Sequence, residues 1–226
     1  GNLGRFLIEN YSRLNCIVYN ISRHRPYELF KNEKFIKCNL SSFLSVKKAL
    51  LKIKSKKIDC IISCSGNSKK NYNNYFTEKE LINSLKDNLI SFTNIVEQYL
   101  KIFKNKKISI IAISSIAAIK VINAPITYSV SKAALQHYCK IKAKELAKHN
   151  INLNIISPGN IYMPNNNWGK KQKISPNNVK KYIKENVPLN SFIYPQQIFE
   201  ACNFILNIKN KIITGSNFII DGGQSL

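Results

Sequence analysis

Residues 107–113, KISIIAI, form a short apolar run dominated by β-branched isoleucine, and they end at Ser114 and Ser115. A run of that length, apolar at every alternation, suits a strand covered on both faces, as strands of a parallel sheet are. The next periodic stretch, 126–148, is long enough for a helix of several turns. The same alternation recurs along the chain. FLIENYSRL reads as helix, and Cys16–Tyr19, Phe35–Cys38 and Ile58–Ile62 read as strands. Parallel strands need helical crossovers between them, so the expected fold class is α/β with a doubly wound parallel sheet. A chain of 226 residues accommodates this as a single domain over 1–226, with a substantial core and no repeat or linker.

The string ISSIAAIKVINAPITYSVSKAAL places Ser115 at the strand end and Tyr128 and Lys132 in the first turns of the following helix. A tyrosine hydroxyl titrates near ~10, too high to exchange protons readily at neutral pH. A lysine one turn on shares its helical face, and an ammonium there favours the phenolate and lowers that value. A serine hydroxyl beside the phenol could hold a substrate oxygen. Together they suit proton transfer to or from a carbonyl or alcohol oxygen, the half-reaction that accompanies hydride transfer. A Tyr-x-x-x-Lys spacing alone is more often an exposed pair. The strand before it changes the reading, because strand, loop and helix bring the three residues to the carboxyl end of a sheet, where open α/β folds bind ligands.

With these residues in place the chain resembles the short-chain dehydrogenase/reductase family, of Rossmann type, over nearly all its length, and is similar to 3-oxoacyl-carrier-protein reductases. Asn88 in LKDNLISF matches the family's catalytic asparagine on the preceding helix. Pro158-Gly159 with Ile161, Pro188-Leu189, Thr214-Gly215 and Asp221-Gly222-Gly223 follow in the family's order. The resemblance implies Tyr128 as general acid or base. It implies that Lys132 tunes Tyr128 and holds the nicotinamide ribose, that Ser115 orients the substrate oxygen, and that Asn88 steadies a water for proton resupply. It also implies a homodimer or homotetramer, with helices around 77–104 and 126–149 as the main contact. Thr214-Gly215 and Asp221-Gly222-Gly223 are expected to serve the last strand and subunit packing.

The cofactor residues carry the main departures from the family. Gly1 and Gly4, ahead of a helix, read as the later glycines of a dinucleotide loop, needed for backbone approach to the pyrophosphate and for tight packing. The family's first strand and first glycine are absent from this sequence. At the end of the second strand, Ser22, Arg23 and Arg25 stand where an NAD-preferring member has an acid, so NADP(H) is expected over NAD(H). Asn39-Leu40 replaces the usual Asp-Leu beside the adenine, and Ser63-Cys64-Ser65-Gly66 replaces Asn-Asn-Ala-Gly, with Gly66 keeping the close backbone approach. The backbone of Ile161 would meet the nicotinamide carboxamide. Residues 162–187, rich in Asn, Lys and Pro, read as a substrate lid; Met163 and Trp168 could cover an apolar part of a ligand, and Trp168 could equally anchor the loop.

The formal charge of +23 invites a nucleic-acid reading. The lysines are spread, however, at 47–48, 52–57, 104–107, 140–148, 170–173 and 180–181, with no basic arm and no recognisable nucleic-acid motif. Lys, Asn and Ile share AT-rich codons, so base composition accounts for much of the excess, and anionic ligands remain the other reading. The six cysteines include no C-x-x-C pair and read as reduced, buried thiols of a cytoplasmic protein without a metal site. No apolar run approaches membrane-spanning length. Two other readings stand beside the ketoreductase: a reductase of a sugar or polar metabolite in polysaccharide biosynthesis, and a non-catalytic nucleotide- or RNA-binding scaffold.

Overall fold

The structure, a computed structural model, describes residues 1–68, 75–103, 107–208 and 212–226. The end of the helix expected around 77–104 and most of the lysine run at 104–107 lie outside the described residues. Six strands are described: β1 (Val18–Ser22), β2 (Glu33–Lys37), β3 (Cys60–Ser63), β4 (Ser109–Ile113), β5 (Asn152–Pro158) and β6 (Asn217–Ile220). Every pairing among them is parallel. The helices are α1 (Asn2–Arg13), α2 (Phe43–Leu51), α3 (Glu78–Leu85), α4 (Ser91–Ile102), α5 (Ile126–Ala147), α6 (Asn167–Ile174), α7 (Pro176–Asn186) and α8 (Pro195–Asn207).

The period of two in the central strands divides the core between two faces. Ile110 and Ala112 of β4, with Leu153 and Ile155 of β5, pack against α4 and α5. Ile111 and Ile113, with Ile156, turn the other way onto Ile198, Cys202 and Ile205 of α8. Both alternations are apolar because both faces are covered, which is why KISIIAI reads as a continuous run. Ile110, Ile111, Ile155 and Ile156 are fully buried, and truncating one to alanine costs about 2–5 kcal/mol. Ser109 of β4 and Asn152, Asn154 and Ser157 of β5 are the buried polar side chains of these two strands. Asn154 is fully buried, donating to the Ile213 carbonyl at 2.9 Å and accepting from the Ser216 amide at 3.1 Å.

The sheet is interrupted. β1 pairs with β2, and β3 to β6 pair in sequence order, so no backbone ladder joins β1 to β3 among the described residues. In the doubly wound order the first strand lies between the second and fourth, and the interruption falls there. The consequence is visible in burial: β1 and β3 are part-exposed along their whole length, while β4 and β5 are buried throughout.

Two local devices position the site. Thr77 and Glu80 form a capping box at the start of α3, the Thr77 hydroxyl accepting from the Glu80 amide at 3.3 Å and the Thr77 amide donating to the Glu80 carboxylate at 2.7 Å. Between α3 and α4 the helix continues through one π-helical turn, Lys86–Ile90, which contains Asn88. The second device is Glu33. Its carboxylate is buried and paired with Arg5, and accepts from Asn20 Nδ2 at 2.7 Å and from the Phe30 amide at 3.1 Å. Arg5 in turn lies 3.9 Å over the Phe30 ring. The loop from β1 to β2 is thereby clamped to α1 at its base.

All six cysteines are free, but they are not uniformly buried: Cys38, Cys139 and Cys202 are, Cys60 and Cys64 are half-buried, and Cys16 is exposed. Cys16 follows the end of α1 rather than lying in a strand, which removes it from the covered layer. Among the described residues no helix is long and apolar enough to cross a membrane.

Candidate active site

Ser115 leaves β4 in extended conformation and caps the short 3-10 turn Ile116–Ala118, its hydroxyl accepting from the Ala117 amide at 3.2 Å. The chain then turns into α5, whose first residues follow Pro125. A parallel β4–α5–β5 crossover starts at the carboxyl end of β4, so Tyr128 faces Ser115 across the top of the sheet, near enough for the Ser115 hydroxyl to favour the phenolate. Lys132, one turn on, is only 3% exposed. Its ammonium donates to the Ile113 carbonyl at 2.9 Å and lies 5.9 Å from the Tyr128 ring centre.

Asn88 completes this group from the opposite side. It is fully buried in the π-helical turn, donating to the Asn67 carbonyl at 3.1 Å and the Ser84 carbonyl at 3.0 Å, and accepting from the Asn67 amide at 3.0 Å. Gly66 closes the gap between them. A Cβ at Gly66 would stand 2.8 Å from Asn88 Oδ1 and 3.1 Å from Lys132 Nζ, so only glycine fits there without displacing one of the two. Ser115, Tyr128, Lys132, Asn88 and Gly66 therefore meet at one place, although they come from four segments of chain.

The electrostatics differ from the sequence expectation at one point. Burial, the larger influence, pushes the Tyr128 phenol above its ordinary value, and the Ser115 hydrogen bond pulls it back down. Burial also holds Lys132 down at about 8, with Cys64 and Cys139 acting weakly the other way. The phenol thus stays protonated at neutral pH because its anion would be poorly solvated, rather than being drawn toward ionisation by the lysine.

The residues expected at a cofactor lie along the same edge. Gly1 caps α1 with no side-chain bond, leaving the first amides of the helix for a ligand. A Cβ at Gly1 would meet nothing, and one at Gly4 only Cys64 at an ordinary 3.7 Å. Ser22 donates to Asn20 Oδ1 at 2.9 Å, while Arg23 and Arg25 are exposed. Asn39, also exposed, uses its carbonyl oxygen to accept from the Ser41 amide at 3.1 Å. Leu40 packs against the core, and its carbonyl accepts from Asn94 at 2.9 Å. Gly159, after Pro158, has the Asp221 side chain 2.8 Å from where a Cβ would be. The Ile161 carbonyl is taken by Asn166 Nδ2 at 2.6 Å.

A family model described as Enoyl-(Acyl carrier protein) reductase matches residues 16–225. A 3-oxoacyl-(acyl-carrier-protein) reductase of Buchnera aphidicola is 29% identical over 82% of this chain and 75% of its own length. The crystal structure of a short chain dehydrogenase family protein from Francisella tularensis superposes with a TM-score of 0.84 at 26% identity, over 99% of this chain and 94% of that one. This chain belongs to the short-chain dehydrogenase/reductase family. A Leptospira borgpetersenii short chain dehydrogenase with bound NAD+ shares the fold at a TM-score of 0.88 and 22% identity, covering 99% of this chain and 89% of that one. As a short-chain dehydrogenase/reductase the chain is an oxidoreductase that moves hydride between a nicotinamide cofactor and a carbonyl or alcohol.

In this short-chain dehydrogenase/reductase, residues 162–187 fold into α6 and α7 rather than a structureless loop. Trp168 packs 4.7 Å from the Tyr182 ring and 4.6 Å from Phe192, with Lys171 over its face, which places it as an anchor of the segment. Met163 is part-exposed, and its carbonyl crowds Gly169. The Tyr182 hydroxyl accepts from Asn160 and Gln224, each at 3.1 Å, tying α7 to the Pro-Gly turn and to the C-terminal turn. Beside it a cleft of about 470 Å³ opens between residues 120–123, α7 and that C-terminal turn.

Sequence reasoning missed Glu33 and Gln136. Gln136 lies one turn beyond Lys132 on the face that carries Tyr128, is 6% exposed and bonds three segments at once. The available signal was a carboxamide on the buried stripe of α5.

Proposed function

We propose that this chain reduces the ketone of a 3-oxoacyl thioester, or a ketone of that kind, with NADPH preferred over NADH. The observation that carries the reading is the meeting of Ser115, Tyr128 and Lys132 at the carboxyl end of β4. The cofactor, when bound, supplies the hydride. Ser115 donates to the ketone oxygen and sets its distance from the phenol. Tyr128 gives that oxygen its proton, and its raised value keeps the phenol protonated for that role at neutral pH. Lys132, anchored on Ile113, presents its remaining protons to the ribose and to proton resupply, while Asn88 holds the Gly66–Asn67 turn against it.

The cradle fits a dinucleotide at both ends. The open amides of α1 face a pyrophosphate, and a carboxamide would meet the Ile161 amide, since the Ile161 carbonyl is occupied. Exposed Arg23 and Arg25 suit a 2′-phosphate in charge and fork geometry. The cleft beside α7 would take the part of the substrate remote from the ketone, with residues 162–187 as its lid. Exposed Ile82 on α3, Ile90 on the π-helical turn, and Val130 and Ile141 on α5 would be covered in a homodimer. Free thiols throughout suit a cytoplasmic setting.

The test is turnover of an acetoacetyl thioester with NADPH and with NADH, in the parent and in Tyr128→Phe. The variant is expected to lose about 10²–10⁴-fold in kcat while binding NADPH with unchanged affinity. A near-normal kcat refutes the role of Tyr128, and equal use of NADH refutes that of the arginines.

A further inference from the structure

A polar ring lies buried beneath Ser115. Gln136 Nε2 donates to Ser157 Oγ at 2.9 Å and to Ser114 Oγ at 3.1 Å, and reaches the Ser115 carbonyl at 3.4 Å. The Ser157 hydroxyl donates to Asn217 Oδ1 at 2.6 Å, and Asn217 Nδ2 donates back to Gln136 Oε1 at 3.5 Å. One carboxamide on α5 thereby ties together the chain leaving β4, the end of β5 and the start of β6. Ser114, Ser157 and Gln136 are all buried, at 4%, 0% and 6% exposure. Burying a carboxamide is unfavourable unless its bonds are made, and a site that needed only filling would hold an apolar residue, as adjacent Leu135 does.

The location gives the ring a task. Ser114 still belongs to the sheet, its amide donating to the Ile156 carbonyl at 2.7 Å. Ser115 is the residue at which the chain leaves the ladder, so its orientation is not set by strand pairing. Its hydroxyl has a weak local bond to the Ala117 amide, and its carbonyl faces Gln136. We propose that Gln136 is a positioning residue: its carboxamide fixes the Ser114–Ser115 turn and so aims the Ser115 hydroxyl at the Tyr128 phenol. This rests on Tyr128 and Ser115 acting as described above, but the geometry it claims can be read without turnover.

The experiment follows the Tyr128 phenol in 3-fluorotyrosine-labelled protein by ¹⁹F NMR across pH, with the resonance assigned by its loss in Tyr128→Phe. Gln136→Met removes both donors at nearly the same volume, and Gln136→Asn keeps a carboxamide too short to span the ring. Ser157→Ala, which breaks the ring away from Ser115, is the control for stability. Both Gln136 variants are expected to raise the Tyr128 midpoint, because the phenolate loses the Ser115 hydroxyl, while Ser157→Ala leaves it near the parent's. In turnover, Gln136→Met is expected to lower kcat roughly tenfold, the value of one oriented hydrogen bond, and to cause no further loss in a Ser115→Ala background. An unmoved midpoint in both Gln136 variants, or a kcat loss that adds fully to that of Ser115→Ala, overturns the proposal. A shifted midpoint in a protein that reduces no ketone leaves the positioning role standing and refutes the proposed reaction instead.

Discussion

Lys132 is expected to lower the stability of the protein that needs it. Its ammonium is 3% exposed and makes one hydrogen bond, to the Ile113 carbonyl at 2.9 Å. Burial holds it at about 8, against 10.5 for a free lysine. Above pH 10.5 the side chain is neutral whether folded or unfolded, and no penalty applies. As pH falls from there toward about 8, the unfolded chain takes up the proton first and stability drops; below about 8 both states are charged and the penalty is complete. At pH 7 it amounts to about 3 kcal/mol. Lys132→Met removes that penalty and also removes a hydrogen bond with a net value of about 1 kcal/mol. The variant is therefore expected to be about 2 kcal/mol more stable than the parent at pH 7, to lose this advantage as pH approaches 10.5, and to have no useful turnover. Urea unfolding of both proteins across that range measures it. A methionine variant less stable at pH 7, or a stability difference that does not change with pH, refutes the reasoning.

Gly66→Ala puts a methyl 2.8 Å from Asn88 Oδ1 and 3.1 Å from Lys132 Nζ, both already held by other bonds. We expect a stability loss of about 1–3 kcal/mol together with a fall in kcat; unchanged kinetics would mean that the two side chains yield freely. Trp168→Ala removes the ring shared with Tyr182 and Phe192. We expect it to loosen α6 and α7 by about 2 kcal/mol, seen as faster proteolysis within 162–187 and a rise in KM larger than the fall in kcat. Arg23→Glu with Arg25→Glu is expected to weaken NADPH at least tenfold and NADH far less, read by fluorescence titration; equal weakening of both would place the arginines away from the ribose.

Much of the fold was legible because its signals are local. The isoleucine run of β4, the period of α5 and the Ser115–Tyr128–Lys132 spacing each lie within one short stretch. Asn88 and Gly66 were legible only through resemblance, since nothing near either residue states that the two side chains meet at the same point. Gln136 showed only as a carboxamide on the buried stripe of α5, and Glu33 was not legible. Their meaning depends on partners far along the chain, Asn217 for one and Arg5 for the other. The helices of residues 162–187 were not legible: Asn, Lys and Pro suggest loop, yet Asn166 and Pro176 start helices there, and three aromatic rings hold them down. The influence on Tyr128 was expected from its lysine, whereas burial, which no spacing encodes, dominates it.

Among the described residues the strands form two separate backbone ladders, and amide exchange reads each ladder as a unit. β3 to β6 share one continuous ladder whose strands cannot open singly. β1 and β2 share another, held to the rest by side chains such as Tyr19 and Ile21 and by the Arg5–Glu33 clamp. Side-chain contacts transmit opening less completely than a shared ladder does. The amides of Val18–Ser22 and Glu33–Lys37 will therefore exchange together, at a lower free energy than those of Ser109–Ile113 and Asn152–Pro158. Arg23 and Arg25 follow the earlier-opening ladder and Tyr128 the later one, so under the proposed function the grip on the cofactor and the proton transfer would fall on parts of the molecule with separate lifetimes.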